Sequence, residues 1–257
     1  MFNDVIEKVS NSSVAKSNLL KRSKGKYLVS SALAGMFVGF GIILIFTIGG
    51  LLSSANSPAT KIVMGMSFGV ALSLVIMAGS ELFTGNNMVM TIGALEKRVT
   101  IGDTFNIWIF SFIGNLLGSI LLGYMYSKSG LATGSVGEFI GKISTAKMTA
   151  PAMELFIRGI LCNILVCLAV WCSFKLKEET SKLIMIFWCL FVFITAGFEH
   201  SIANMTLLAI GLFIPHPATV TVSGYLYNIG IVTLGNMVGG ILFVGLAYWY
   251  VSKEKES

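Results

Sequence analysis

Five windows of this sequence contain no Asp, Glu, Lys or Arg: Tyr27 to Thr60, Thr104 to Ser127, Gly159 to Phe174, Leu183 to Phe198 and Pro217 to Ser252. A sixth, Ile62 to Leu95, is interrupted only by Glu81. About 20 apolar residues span a bilayer as a helix, and in lipid the backbone must satisfy its own hydrogen bonds. These windows therefore predict an all-α membrane protein with six spans near 28–52, 62–95, 104–127, 153–174, 183–213 and 219–251. Composition agrees, with 55% hydrophobic residues, 12% charged residues and a mean hydropathy of +0.83.

The net charge of +6 reads as topology rather than as a nucleic-acid surface. Thirteen of the 18 Lys and Arg residues fall before span one, after span two, between spans four and five, or at the end of the chain. Lys61, Lys128, Lys142 and Lys147 lie on the other side, and Arg158 inside span four. The positive-inside rule then predicts a multi-pass protein of the cell membrane with both termini cytoplasmic. The first apolar run is too long for a signal peptide's core. Expected divisions are a cytoplasmic segment 1–26, a six-span domain 27–252 and a cytoplasmic tail 253–257.

The two halves repeat one another. "AGSE" at 78–81 returns as "AGFE" at 196–199, "NNMVM" from Asn86 is echoed by "ANMTL" from Ala203, and "GNLLGSIL" from Gly114 returns as "GNMVGGIL" from Gly235. Each half has three spans, so the halves, about 27–127 and about 150–252, must cross in opposite senses. Such a 3+3 inverted repeat places a transport site where the halves meet. Within it, spans two and five are longer than one crossing, and each combines glycine with polar residues: Gly79, Glu81, Gly85 and Asn87 in one, Gly197, Glu199, His200 and Asn204 in the other. Both helices are expected to break there. Glu81, Glu199, Asn87 and Asn204 are expected to satisfy the freed backbone groups, and the exposed half-helix N-termini attract anions.

"AGSELFTGN", "RGILCNILVCLAVW" and "GFEHSIANM", in this order, resemble the signature segments of the formate/nitrite transporter family. The resemblance runs from Lys26 to about Tyr250. It implies an aquaporin-like protomer, a homopentamer with one pore per subunit, and passage of small monovalent anions or their conjugate acids. It also implies a central pore pair of His200 with Thr84, and an outer vestibule lysine, Lys147, paired with Asn163. Apolar constrictions are implied at Leu72, Leu82 and Phe193 on the cytoplasmic side and at Phe68, Phe83 and Val166 on the outer side. By general likeness the hydrosulfide branch comes first, ahead of formate and nitrite.

From the residues alone, an intramembrane histidine marks a functional site, and its ordinary pKa of about 6.5 makes its charge sensitive to surroundings. Gly114, Gly118, Gly235 and Gly239 form two GxxxG pairs suited to close helix contact. Cys162, Cys167 and Cys172 recur at a spacing that scatters them around a helix, and neither a metal site nor a cofactor is expected. The amino-terminal "MFNDVIEKV" has one apolar helical face, placed either on the membrane surface or under a pore mouth. The rival readings are an aquaporin-like channel for neutral solutes and an intramembrane enzyme using Glu199 with His200. Adjacent helical side chains point about 100° apart, which disfavours that acid/base pair.

Overall fold

The computed structural model describes residues 2–253, and all regular structure there is helical. Helix α1 (Asn3–Arg22) runs through Ser23 into the first crossing, α2 (Lys24–Ser54). The second crossing is made by α3 (Thr60–Ser67) and α4 (Gly69–Met77), followed by a separate short helix, α5 (Phe83–Leu95). Next come α6 (Ile101–Lys128), α7 (Gly134–Met148), α8 (Ala152–Lys175), α9 (Glu179–Ala196) and a second short helix, α10 (Ser201–Phe213). The last crossing begins as α11 (Val222–Val238), widens into a π-helical stretch (Gly239–Leu246) and ends in α12 (Ala247–Ser252). Six helices are long and apolar enough to cross a membrane. This is a multi-pass membrane protein.

Small residues let the crossings approach closely. A Cβ on Gly114 or Gly118 would collide with the α2 backbone at Leu28 and Ala32, and one on Gly235 or Gly239 with the α8 backbone at Phe156 and Ile160. Glycine there brings α6 onto α2 and α11 onto α8, replacing side-chain bulk by backbone contact.

Two elements outside the crossings matter for the site. Helix α1 turns Val5, Ile6 and Val9 into a cluster with Met88, Val89 and Ile92 of α5, which removes the membrane-surface alternative for the amino terminus. Phe2 packs edge-on against Trp171 and Tyr248, at 6.0 and 5.6 Å. Burying those three aliphatic side chains contributes on the order of 5 kcal/mol before ordering entropy is subtracted. Helix α7 occupies a stretch read from the sequence only as a connection, and its Phe139 packs on Phe46 of α2 at 5.6 Å.

Candidate functional site

The site starts from two interruptions in the helices. Gly79, just beyond α4, has φ +76°, and Gly197, just beyond α9, has φ +83°. Left-handed glycine ends a helix at little cost, and a Cβ at either position would meet nothing within 4 Å, so the requirement is conformational rather than steric. The chain then runs non-helically through 80–82 and 198–200 before α5 and α10 begin.

The freed backbone groups are bound by two asparagines that the sequence reading passed over. The Phe83 amide donates to Asn115 Oδ1 at 2.9 Å, while Asn115 Nδ2 donates to the carbonyls of Ser31 (2.7 Å) and Glu81 (2.9 Å). At the second interruption the Ser201 amide donates to Asn236 Oδ1 at 2.9 Å, and Asn236 Nδ2 donates to the carbonyls of Gly159 (2.8 Å) and Glu199 (2.9 Å). The Glu81 and Glu199 amides donate to Ser30 and Arg158 carbonyls at 3.4 and 3.2 Å. This corrects the expectation that Glu81, Glu199, Asn87 and Asn204 would bind the freed groups. Each asparagine thus joins one amide and one carbonyl of the interruption to a carbonyl of the neighbouring crossing, Ser31 of α2 or Gly159 of α8. A carboxamide offers both an acceptor and two donors, whereas a carboxylate only accepts. The signal was present, since Asn115 and Asn236 follow the first glycines of the two matched GxxxG motifs.

The two glutamates serve a different purpose. Glu81 accepts from Lys16 Nζ at 2.9 and 2.8 Å, from Tyr27 at 3.0 Å and from Asn86 Nδ2 at 3.2 Å. Glu199 accepts from Lys147 Nζ and from Asn204 Nδ2, both at 2.6 Å. Asn204 also donates to Asn228 Oδ1 at 2.8 Å, and Asn228 donates to the Lys147 carbonyl at 2.9 Å. Lys147 therefore sits in the last turn of α7 as half of a largely buried ion pair, with its side chain 18% exposed and that of Glu199 5%. The expected Lys147–Asn163 pairing is not made. Asn163 Nδ2 instead donates to the Thr84 carbonyl (3.2 Å), Asn87 Oδ1 (3.2 Å) and the Asn236 carbonyl (2.6 Å), because Asn163 is fully buried where α8 meets α5 and α11.

Between the two ion pairs lie His200 and Thr84. His200 Nε2 is 3.0 Å from Thr84 Oγ1. Its Nδ1 accepts from the Ala203 amide at 3.1 Å, so the ring is also the N-cap of α10. With the Nδ1 lone pair committed to that amide, the ring proton is assigned to Nε2, which donates to Thr84. The Thr84 hydroxyl is then left with its own proton to give. The amides of Thr84, Gly85 and Ile202, in the first turns of α5 and α10, have no hydrogen-bond partner among the described residues. Three neutral donors and one hydroxyl thus meet at facing helix N-termini, a region of positive potential without a full charge.

Two cavities flank this pair. One, of about 710 Å³, is lined by Lys147, Glu199, Lys61, Arg158 and Phe193. The other, of about 480 Å³, is lined by Lys16, Glu81, Lys182, Leu72 and Leu82. A neck of about 10 Å³ carries Phe68, Leu72, Leu82, Val166, Phe193 and His200 among its walls, room for roughly one water. Phe68 and Phe193 meet edge-on at 5.5 Å, and Phe193 stacks on His200 at 6.1 Å. Five of the six expected constriction residues gather here. Phe83 does not: it packs edge-on against Phe112 at 5.3 Å, since α5 turns it toward α6. Phe193 borders the Lys147 cavity, whereas Leu72 and Leu82 border the Lys16 cavity, so Phe193 belongs with Phe68 and not with the two leucines.

A sequence profile of the formate/nitrite transporter family matches residues 3–250. The chain is 44% identical over 257 residues to the nitrite transporter NirC of Salmonella typhimurium, covering 100% of this chain and 94% of that protein. Among solved structures it is similar to an FNT family ion channel, with TM-score 0.93 and 43% identity over 98% of this chain and 100% of that one. It is also similar to a pentameric formate channel with formate bound, with TM-score 0.78 and 28% identity over 90% and 98% of the two chains.

Proposed function

The chain belongs to the formate/nitrite transporter family, and on that premise we propose that each protomer of a homopentamer holds its own pore for small monovalent anions or their conjugate acids. The path leads from the Lys147 cavity, past Phe68, Phe193 and Val166, along Thr84 and His200, past Leu72 and Leu82, into the Lys16 cavity. Nitrite is the first choice of solute, ahead of formate and hydrosulfide, because the relative that is 44% identical carries that name. The pentamer rests on likeness to the pentameric formate channel. The first and last described residues, Phe2 and Lys253, lie on the Lys16 side, taken as cytoplasmic from the basic residues that cluster there.

The inverted repeat is part of this reading. Support comes from hydrogen bonds that recur in pairs: Lys16 to Glu81 and Lys147 to Glu199, Asn86 to Glu81 and Asn204 to Glu199, and the two asparagine bridges. In this pairing α7 is the counterpart of α1, and His200 stands where the first half has Leu82.

One observation carries the proposal: a neck of about 10 Å³, apolar on most of its wall, with His200 in that wall and the Thr84 hydroxyl hydrogen-bonded to it at 3.0 Å. A bare anion in such a neck would lose hydration worth many kcal/mol. Partial charges from two helix N-termini and the Thr84 hydroxyl offset part of this, and a proton taken up by the solute removes the remainder. The lysines supply positive charge at each mouth, each tempered by its glutamate so that the anion is not trapped. The Asn163 side chain holds the Thr84 carbonyl, a positioning role rather than contact with the solute.

The test is flux into proteoliposomes with nitrite, formate, hydrosulfide and glycerol at matched incorporation. Anion flux that rises as pH falls, with glycerol excluded, is the expected outcome. Glycerol passage with no anion flux would replace this reading by the neutral-solute alternative.

A further inference from the structure

The two cavities differ in a way that passage of a small anion does not use. The Lys147 cavity is the larger, and its wall carries Phe46, Phe139, Phe193 and Phe198 together with Ile42 and Met64. The Lys16 cavity has Ser12, Ser30, Ser80 and Ser173 in its wall and one aromatic residue, Phe174. Charge differs too. Lys147 is neutralised by Glu199 and Arg158 pairs with Glu154, whereas Lys61, exposed at the cavity, has no carboxylate partner among the described residues. The volume of about 710 Å³ falls within the range of pockets that enclose drug-sized ligands, which runs roughly 300–1,000 Å³.

We infer that the Lys147 cavity is a receptor site for an amphipathic monoanion, an aromatic body carrying one carboxylate, that enters from this side alone and blocks the pore. The inference rests on the reading that this cavity is a pore mouth. The aromatic body lies against Phe46 and Phe139, whose rings are 5.6 Å apart and inclined at 42°, an arrangement that accepts a third ring edge-on. The carboxylate remains at the exposed end, by Lys61. A phenyl ring cannot enter a neck of about 10 Å³, so the ligand stops above Phe193 and occludes the smaller solute. The opposite cavity is smaller and has aliphatic side chains with four serines and a single aromatic residue, Phe174, so it lacks the paired rings that would hold such a ligand.

The probe is 4-phenylbutyrate, with 4-phenylbutyramide as the neutral control. Isothermal titration of the detergent-solubilised full chain, corrected for micelle partitioning, should show saturable binding of one 4-phenylbutyrate per chain and binding of the amide weaker by about 3- to 5-fold at low salt. Lys61→Ala should weaken binding about 3- to 5-fold at low salt, the range for one partly exposed charge, and less at high salt. Phe139→Leu, which keeps an apolar side chain in the α2–α7 contact, should weaken it as well while leaving the melting temperature close to wild type. In right-side-out and inside-out vesicles, the probe should inhibit nitrite flux only when added on the Lys147 side. Equal binding of the amide, equal block from both sides, or absence of saturable binding to a protein that conducts would overturn the inference. Binding without any small-anion conduction would leave the site standing and refute the pore reading beneath it.

Discussion

Replacing Asn236 by Ala should disturb the protein more than removing any other single polar side chain near the second interruption. The substitution deletes three hydrogen bonds and strands the Ser201 amide and the Glu199 carbonyl, while the Gly159 carbonyl keeps its place within α8. Asn236 is fully buried, so water cannot replace its side chain without opening the helix contact. Interhelical hydrogen bonds in membrane proteins average about 0.6 kcal/mol and reach about 1.7, and stranding a buried group costs about 1–3 kcal/mol. Three bonds therefore give about 2–5 kcal/mol. For a chain of this size that lowers the melting temperature by roughly 5–15 °C. Asn115→Ala should do the same, because it breaks the matching set at the first interruption. Asn87→Ala is the control: Asn87 only accepts a bond from Asn163, and its own Nδ2 has no partner. The assay is thermal unfolding of detergent-solubilised protein followed by tryptophan fluorescence. Melting of Asn115→Ala and Asn236→Ala within about 2 °C of wild type, or an equal loss for Asn87→Ala, would refute the asparagine bridges.

Lys147→Ala should destabilise by about 2–4 kcal/mol, because it leaves the Glu199 carboxylate buried without its cation; adding Glu199→Gln should restore most of that, and a thermal double-mutant cycle with no coupling would mean the pair is not formed. Phe193→Ala, which removes the ring shared with Phe68 and His200, should admit lactate, and a selectivity unchanged between nitrite and lactate in proteoliposomes would place the constriction elsewhere. Lys253 and Trp249 both donate to Glu96, and the lysine above all holds this carboxyl below its ordinary range. A depressed folded-state value stabilises above the unfolded carboxylate pKa of about 4.3 and is lost as pH falls through the folded value. Melting temperature should thus drop below about pH 4 more steeply in wild type than in Glu96→Gln, and parallel acid limbs would contradict this.

Much of this architecture was legible because it rests on local signals. Charge-free windows report crossings directly, and glycine beside Glu81 or Glu199 reports a helix that stops. The His200 and Thr84 pairing came from resemblance to a family, since nothing in spacing alone brings residue 84 to residue 200. Partner choice was what the sequence concealed. Lys16 read as one basic residue in a cluster before the first span, yet it ion-pairs with Glu81 because α1 folds under α5. Lys147 looked like a solvated loop cation because the run from Gly134 to Met148 has too little hydrophobic pattern to announce α7, which instead takes its support from α2. Phe83 and Leu82 are neighbours in sequence, but restarting the helix at Phe83 fixes their phases differently, so one faces the neck and the other α6. The asparagines were concealed by the glycines beside them, which already explained the motif.

The central claim is that the solute meets a hydrogen-bond donor beside the neck, and the donor proposed is the Thr84 hydroxyl, 3.0 Å from His200 in the neck wall. Thr84→Val keeps the shape and removes the hydroxyl, leaving the His200 cap on Ala203 untouched. The decisive measurement is nitrite flux in proteoliposomes for wild type and Thr84→Val at matched incorporation, with melting temperature as the folding control. Loss of one hydrogen bond to the protonated solute, about 0.5–1.5 kcal/mol, predicts flux roughly 2- to 10-fold lower with melting shifted by no more than a few degrees. Flux equal to wild type from a folded Thr84→Val protein would contradict the account.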